Sequence, residues 1–184
     1  MHLNKATEED LSLSLQNQKI LVTGVSRSLG IGAAITKRFA KAGASVAIHG
    51  YPNYDMKMKY PDATNNSTMD LANELLATNR NVVALSPSDL SDHDEPVRVV
   101  SEAIEQLGYL NGLVLNHAYS VNASLEEWTE EHIDAHFKVN VRASMLMIQA
   151  FAKQIKKETG GVITLFTSGQ YLAGPMHLMV GHGN

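Results

Sequence analysis

The stretch KILVTGVSRSLGIGAAITKRFAKAGASVAIHG, Lys19 to Gly50, runs strand, glycine-bearing turn, helix and second strand in that order. Lys19–Thr23 (KILVT) is apolar and rich in branched side chains, and Ser45–His49 (SVAIH) repeats that character. Between them Ile31, Ala34, Ile35 and Phe39 recur at helical spacing, and Gly43 closes the helix. Two strands joined through a helix form a right-handed crossover with the strands parallel. The turn Thr23-Gly24-Val25-Ser26-Arg27-Ser28-Leu29-Gly30-Ile31-Gly32 lies where strand hands over to helix. Glycines there permit a tight bend and close backbone approach, while the helix start offers unpaired N–H groups and a positive dipole end to a pyrophosphate. Taken alone, such a turn also admits a purely structural reading.

The alternation continues outward. Gly50 to Asn66, with Pro52 and Pro61, reads as a long surface loop beside the turn. A helix over Thr68 to Thr78 uses Met69, Ala72, Leu75 and Leu76, and Asn81 to Leu85 is a third strand. Asp92 to Leu107 is helical through Val97, Val100, Ala103, Ile104 and Leu107, stops at Gly108, and leads to a fourth strand at Gly112–Leu115. Thr129 caps a long helix reaching about Lys157, with Ile133, Phe137, Ser144, Ile148 and Phe151 on one side. After Gly160-Gly161, Val162 to Thr167 (VITLFT) is a fifth strand with the near-continuous apolar character of one buried on both faces. The expected architecture is α/β, a doubly wound parallel sheet of about five strands, the Rossmann fold, with ligands at the carboxyl ends of the strands. Residues 1–17 read as a leader, 18–168 as the dinucleotide-binding domain and 169–184 as an irregular tail, so the fold is expected to stop after its fifth strand.

Composition narrows the function classes. The 184 residues, 44% hydrophobic, suit one core. Fifteen Lys and Arg against nineteen Asp and Glu give a net charge of −4 without a basic block, which argues against nucleic acid as a partner. Cysteine is absent, in keeping with a cytoplasmic location, and no stretch has the roughly 18 apolar residues a membrane helix needs.

The arrangement TG…GIG after the first strand resembles the short-chain dehydrogenase/reductase family, and four further matches occur in the family's order. Asp89-Leu90 resembles its adenine-binding Asp segment, Asn116-His117-Ala118-Tyr119 its NNAG segment, Asn140 its tetrad Asn and Ser168 its catalytic Ser. The nearest flavour is that of carbonyl reductases such as 3-oxoacyl carrier-protein reductases. The turn is two residues longer than the family pattern, and His117 and Tyr119 depart from NNAG.

The resemblance implies a nicotinamide dinucleotide held by Gly24, Ser26, Arg27, Gly30, Ile31, Gly32, His49, Asp89, Leu90, Asn116 and Ala118. It also implies hydride exchange with a small carbonyl or alcohol substrate, in which Ser168 holds the reacting oxygen and Asn140 anchors a relay water. An NAD site places a carboxylate at the end of the second strand, where this chain has His49-Gly50-Tyr51 and no charge to repel a phosphate. Arg27 resembles the Arg that NADP-dependent relatives set against the 2′-phosphate, so NADP(H) is expected ahead of NAD(H); its alternative is an exposed loop residue.

The family's Tyr falls near Gly181 or His182, yet no Tyr follows Tyr171 and no Tyr has a Lys four positions on. Two readings stay open: a weakly active or inactive oxidoreductase chain, and a non-enzymatic NADP-binding or interaction module. His132 and His136, four apart, have neither the H-E-x-x-H pattern nor a third ligand, so no metal is expected. An unpaired outer edge on the fifth strand leads to the expectation of a homo-oligomer.

Overall fold

The computed structural model describes residues 14–78, 80–121, 123–155 and 160–167. Five strands, β1 (Lys19–Thr23), β2 (Ser45–His49), β3 (Val82–Ala84), β4 (Gly112–Leu115) and β5 (Val162–Leu165), form one sheet in the order β3-β2-β1-β4-β5. Every pair is parallel. The order reverses between β1 and β4, and the crevice that this leaves at their carboxyl ends is where such sheets take ligands.

The pleat sends alternate strand residues to opposite faces. Leu21 and Leu113 point into a core with Val99, Ala103, Met147 and Phe151, covered by α4 (Glu95–Leu107) and α6 (Ser144–Gln154). Ile20, Val22, Val46 and Ile48 pack on the other face with Ala33, Ala40, Leu71 and Leu75, under α1 (Ile31–Lys41) and α3 (Ser67–Leu76).

Several helix faces lie one position from where periodicity alone sets them. In α1 the buried residues are Gly32, Ala33, Thr36 and Ala40, while Ile31 is exposed. Small residues face the sheet because the helix lies close to it, and Ile35 and Phe39 pack at its rim. Met69 and Leu76 of α3 and Val97 of α4 are likewise exposed. The expected single long helix is three pieces: α5 (Glu130–His136), a π-helical stretch Phe137–Ala143, and α6. The wider π turn shifts the phase between α5 and α6, so a constant period of 3.6 that fits Phe151 misplaces Ile133 and Phe137, both exposed.

Two larger corrections concern connections and edges. The segment read as a surface loop after β2 contains α2 (Pro52–Lys57), begun by a proline in its first turn. β5 is exposed at all four residues rather than buried on both faces. Among the described residues it pairs with β4 alone. No described helix is long and apolar enough to cross a membrane.

Burial sets the expected energetic contrast. Phe151→Ala, at a fully buried side chain, should lower the unfolding free energy by about 3–5 kcal/mol, and Val162→Ala on exposed β5 by less than about 1 kcal/mol. Denaturant titrations that gave equal losses would contradict this layering.

Candidate functional site

The site begins where β1 ends. Gly24 has φ of +71°, and a Cβ there would lie 2.8 Å from the Asn116 carbonyl and the His117 nitrogen. A Cβ on Gly32 would meet the Gly24 oxygen at 2.5 Å and Asn116 Nδ2 at 2.8 Å. The turn, the first residues of α1 and the loop after β4 therefore touch backbone to backbone. Asn116 Nδ2 donates to the Gly24 carbonyl at 3.0 Å, and Asn116 N donates to Thr23 Oγ1 at 3.2 Å. The N-cap of α1 is Gly30, with no side-chain cap, which leaves the first N–H groups of the helix for an acceptor from outside.

His117, where the family pattern has Asn, extends this brace. Its Nδ1 lies 2.7 Å from Thr23 Oγ1 and its Nε2 3.3 Å from Ser144 Oγ on α6. Burial lowers its pKa from 6.5 to about 4, against a hydrogen bond to the Val139 backbone that pulls upward. Asn140 sits in the π-helical stretch, and its side chain binds both backbone groups of Tyr119: Oδ1 accepts from N at 2.7 Å and Nδ2 donates to O at 2.9 Å. It holds the loop after β4 in place. Ser168 and Tyr171 lie outside the described residues.

A cleft of about 670 Å³ opens at the carboxyl ends of the strands. Gly24, Ser26, Arg27, Gly30, Ile31, His49, Asp89, Leu90, Asn116 and Ala118 all line it, and Gly32 lies just behind, packed against Gly24. Asp89 spends one carboxylate oxygen on the Ser91 N–H at 2.8 Å. His49 is buried, its Nε2 3.1 Å from Ser88 Oγ. Burial, then the nearby His117 and Arg98, depress its pKa to about 3, so it is neutral at pH 7. At Gly50 a Cβ would lie 2.5 Å from Thr68 Oγ1 and 2.8 Å from the Val25 oxygen, so no carboxylate fits at that position.

No carboxylate stands at the end of β2, but α2 adds one to Asp89 and Glu131 in the cleft. Asp55 lines it and accepts a hydrogen bond from Ser26 Oγ, and burial raises its pKa above the usual carboxylate value. Its neighbour Tyr54 donates to the Ser120 carbonyl at 2.8 Å and accepts from the Ser120 N–H at 3.0 Å, tying α2 across to the loop after β4. Nothing periodic marks these residues in sequence, since they lie in a six-residue helix inside an apparent loop. On α5, His136 stacks on Trp128 with ring centroids 4.8 Å apart, meets Tyr119 edge-on, and directs Nδ1 to the His132 carbonyl at 2.7 Å. The His132/His136 pair is thus packed half-buried. Among the described residues no group of three or more His, Asp or Glu is placed to hold a metal.

Residues 18–180 match the family described as short chain dehydrogenase. The chain is 31% identical over 158 residues to a protein of Rhizobium meliloti named "Probable galactose dehydrogenase", covering 86% of this chain and 56% of that one. It superposes with a TM-score of 0.74 and 32% identity on a short chain dehydrogenase from Burkholderia cenocepacia crystallised with NADP, covering 88% of this chain and 59% of the other. A blue fluorescent protein from a metagenomic library, in complex with NADPH, gives a TM-score of 0.74 at 30% identity, covering 88% and 60%. The chain spans little more than half the length of these relatives.

The two neutral histidines set a pH dependence. Below 6.5 the unfolded chain takes up protons that the folded chain refuses until about pH 4 at His117 and about pH 3 at His49. Their contribution is fully present above pH 6.5 and falls as the pH drops toward 4, by roughly 1.4 kcal/mol per pH unit for each His. In urea titrations from pH 7.5 to 4, His117→Asn should flatten this acid limb; an unchanged slope would contradict the assignment.

Proposed function

This chain belongs to the short-chain dehydrogenase family, and on that premise we propose that the protein is an NADP(H)-dependent oxidoreductase exchanging hydride with a small carbonyl or alcohol substrate. The observation that carries the cofactor reading is the pairing of Arg27, lining the cleft beside the turn, with Gly50, where packing leaves no room for the carboxylate of an NAD site. The glycine cradle fits such a group: side chains at Gly24 or Gly32 would collide with the backbone of Asn116 or of Gly24 and force the turn off the start of α1, whose uncapped N–H groups supply donors and dipole.

In this reading Gly24, Gly30 and Ile31 hold the pyrophosphate, Asp89 and Leu90 take the adenine, and Arg27 pairs with the 2′-phosphate. Ser26 and His49 border the adenosine ribose, Asn116 and Ala118 line the way to the nicotinamide, and Gly32 keeps α1 against the turn. The dinucleotide, when bound, supplies the hydride. Asn140 serves as a positioning residue through the Tyr119 backbone, and Ser168 is the proposed holder of the reacting oxygen. The proposed assembly is a homo-oligomer, supported by the exposed Phe137, Val141 and Met145, and the proposed compartment is the cytoplasm.

A second reading, NAD(H), is favoured by one observation, the Asp55 carboxylate in the cleft. Titration separates the two. The chain should bind NADP(H) about tenfold or more tighter than NAD(H), a charge-assisted pair contributing roughly 1.5–3 kcal/mol. Arg27→Ala should erase that preference, and Asp89→Ala should weaken both cofactors alike. Equal affinities in the unaltered chain would refute the NADP reading.

Within these 184 residues no Tyr has a Lys four positions on, so the Tyr-x-x-x-Lys acid of the family pattern is not among them. A positioned general acid contributes roughly 10²–10⁴-fold. We therefore expect this 184-residue polypeptide to oxidise NADPH with ketones or 3-oxoacyl thioesters at least about a hundredfold more slowly than a version carrying a Tyr-x-x-x-Lys segment. Comparable turnover, abolished by Ser168→Ala, would overturn that.

A further inference from the structure

The connection after α2 returns beneath the long turn, with an antiparallel bridge between Arg27 and Ala63. One carboxylate meets the turn twice. Asp62 Oδ1 accepts from Arg27 Nε at 2.9 Å, and Asp62 Oδ2 accepts from the Leu29 N–H at 2.9 Å. Leu29 belongs to the stretch that makes this turn two residues longer than the family pattern. The Asp62 side chain is largely covered, and the Leu29 N–H, then Arg27, hold its carboxyl below the usual range. Tyr60 supplies the remaining constraint, its ring centroid lying 3.9 Å from the central carbon of the Arg27 guanidinium.

These contacts hold Arg27 at two points, through Nε to Asp62 and through the guanidinium carbon over the Tyr60 ring. Among the described residues the Arg27–Asp62 hydrogen bond uses Nε alone. With Nε on Asp62, the end-on pair of Nη groups can make a bidentate contact to phosphate. A guanidinium already held in place loses less side-chain freedom on binding than a loose one.

We propose that Asp62 is a specificity-determining positioning residue, which, with Tyr60 as a platform, fixes Arg27 to receive the 2′-phosphate of the cofactor. The proposal rests on the NADP reading above. It gives the long connection after β2 a role: Asp62, on that connection, anchors both Arg27 and Leu29 of the turn. Asp62 then acts through Arg27 and does not itself touch the cofactor.

The test uses 2′,5′-ADP and 5′-AMP, which differ in the 2′-phosphate, titrated calorimetrically against the full chain, Arg27→Ala, Asp62→Ala and the double variant. The unaltered chain should favour 2′,5′-ADP about tenfold or more. Asp62→Ala should weaken 2′,5′-ADP by about tenfold while 5′-AMP stays within about twofold, and it should have no further effect in the Arg27→Ala background, as expected of residues acting in series. An undiminished or tightened 2′,5′-ADP affinity in Asp62→Ala overturns the proposal, and so does an equal loss when Arg27 is already absent. If the unaltered chain does not distinguish the two probes, the NADP reading fails first and takes this proposal with it. If Asp62→Ala does not fold, Asp62→Asn, which keeps one acceptor oxygen and the same volume, replaces it in the cycle. A loss of about threefold in 2′,5′-ADP affinity, confined to the chain with Arg27 present, is then expected, and no loss overturns the proposal.

Discussion

Everything at the site depends on the contact between the ends of β1 and β4. Strand order reverses there, and the two backbones approach so closely that a methyl group on Gly24 would sit 2.8 Å from the Asn116 carbonyl. One amide, Asn116 Nδ2, closes the gap by donating to Gly24 O at 3.0 Å. Because neither strand can retreat without uncoupling its register, the turn after β1 must rise out of the sheet and present the start of α1 to the cleft. The brace continues outward through Thr23, His117 and Ser144 to α6, and through Asn140 to Tyr119. A substitution in that chain changes a cavity wall rather than an isolated side chain.

Much of this was legible in the residues. Branched apolar runs at Lys19–Thr23 and Ser45–His49 with a helix between them leave parallel pairing as the economical solution, and the sheet takes that form. The positions after each strand, Gly24, Asp89 and Asn116, line one cleft because a parallel sheet points all its carboxyl ends the same way. The failures have physical causes. Periodicity assigns bulk to the buried face, whereas α1 needs small residues there; the π-helical stretch breaks the period itself; and β5 has an apolar sequence but exposed faces, a property of its neighbours rather than its own residues.

The segment after β2 was the least legible and alters the site most. Proline and polar residues read as a loop, and a six-residue helix carries too few positions for a periodic signal. Yet it carries Tyr54, Asp55, Tyr60 and Asp62 to the cleft or its rim. Charge in the cleft is mixed, with Arg27 and Lys57 set against Asp55, Asp89 and Glu131, and with Asp62 bound to Arg27 at its rim. The choice of cofactor is therefore a matter of which groups already satisfy one another, and a count of charges in sequence does not reveal that.

In the proposed complex the dinucleotide lies across the β1/β4 crevice with its pyrophosphate on the start of α1. Amide chemical shifts of the ¹⁵N-labelled chain, monitored while NADP⁺ is added, test it most directly. Saturable shifts are expected, largest at the Gly30, Ile31 and Gly32 amides, with a second group at Asp89 and Leu90. Saturable binding that left those amides unmoved, or moved residues on the opposite edge of the sheet instead, would contradict it.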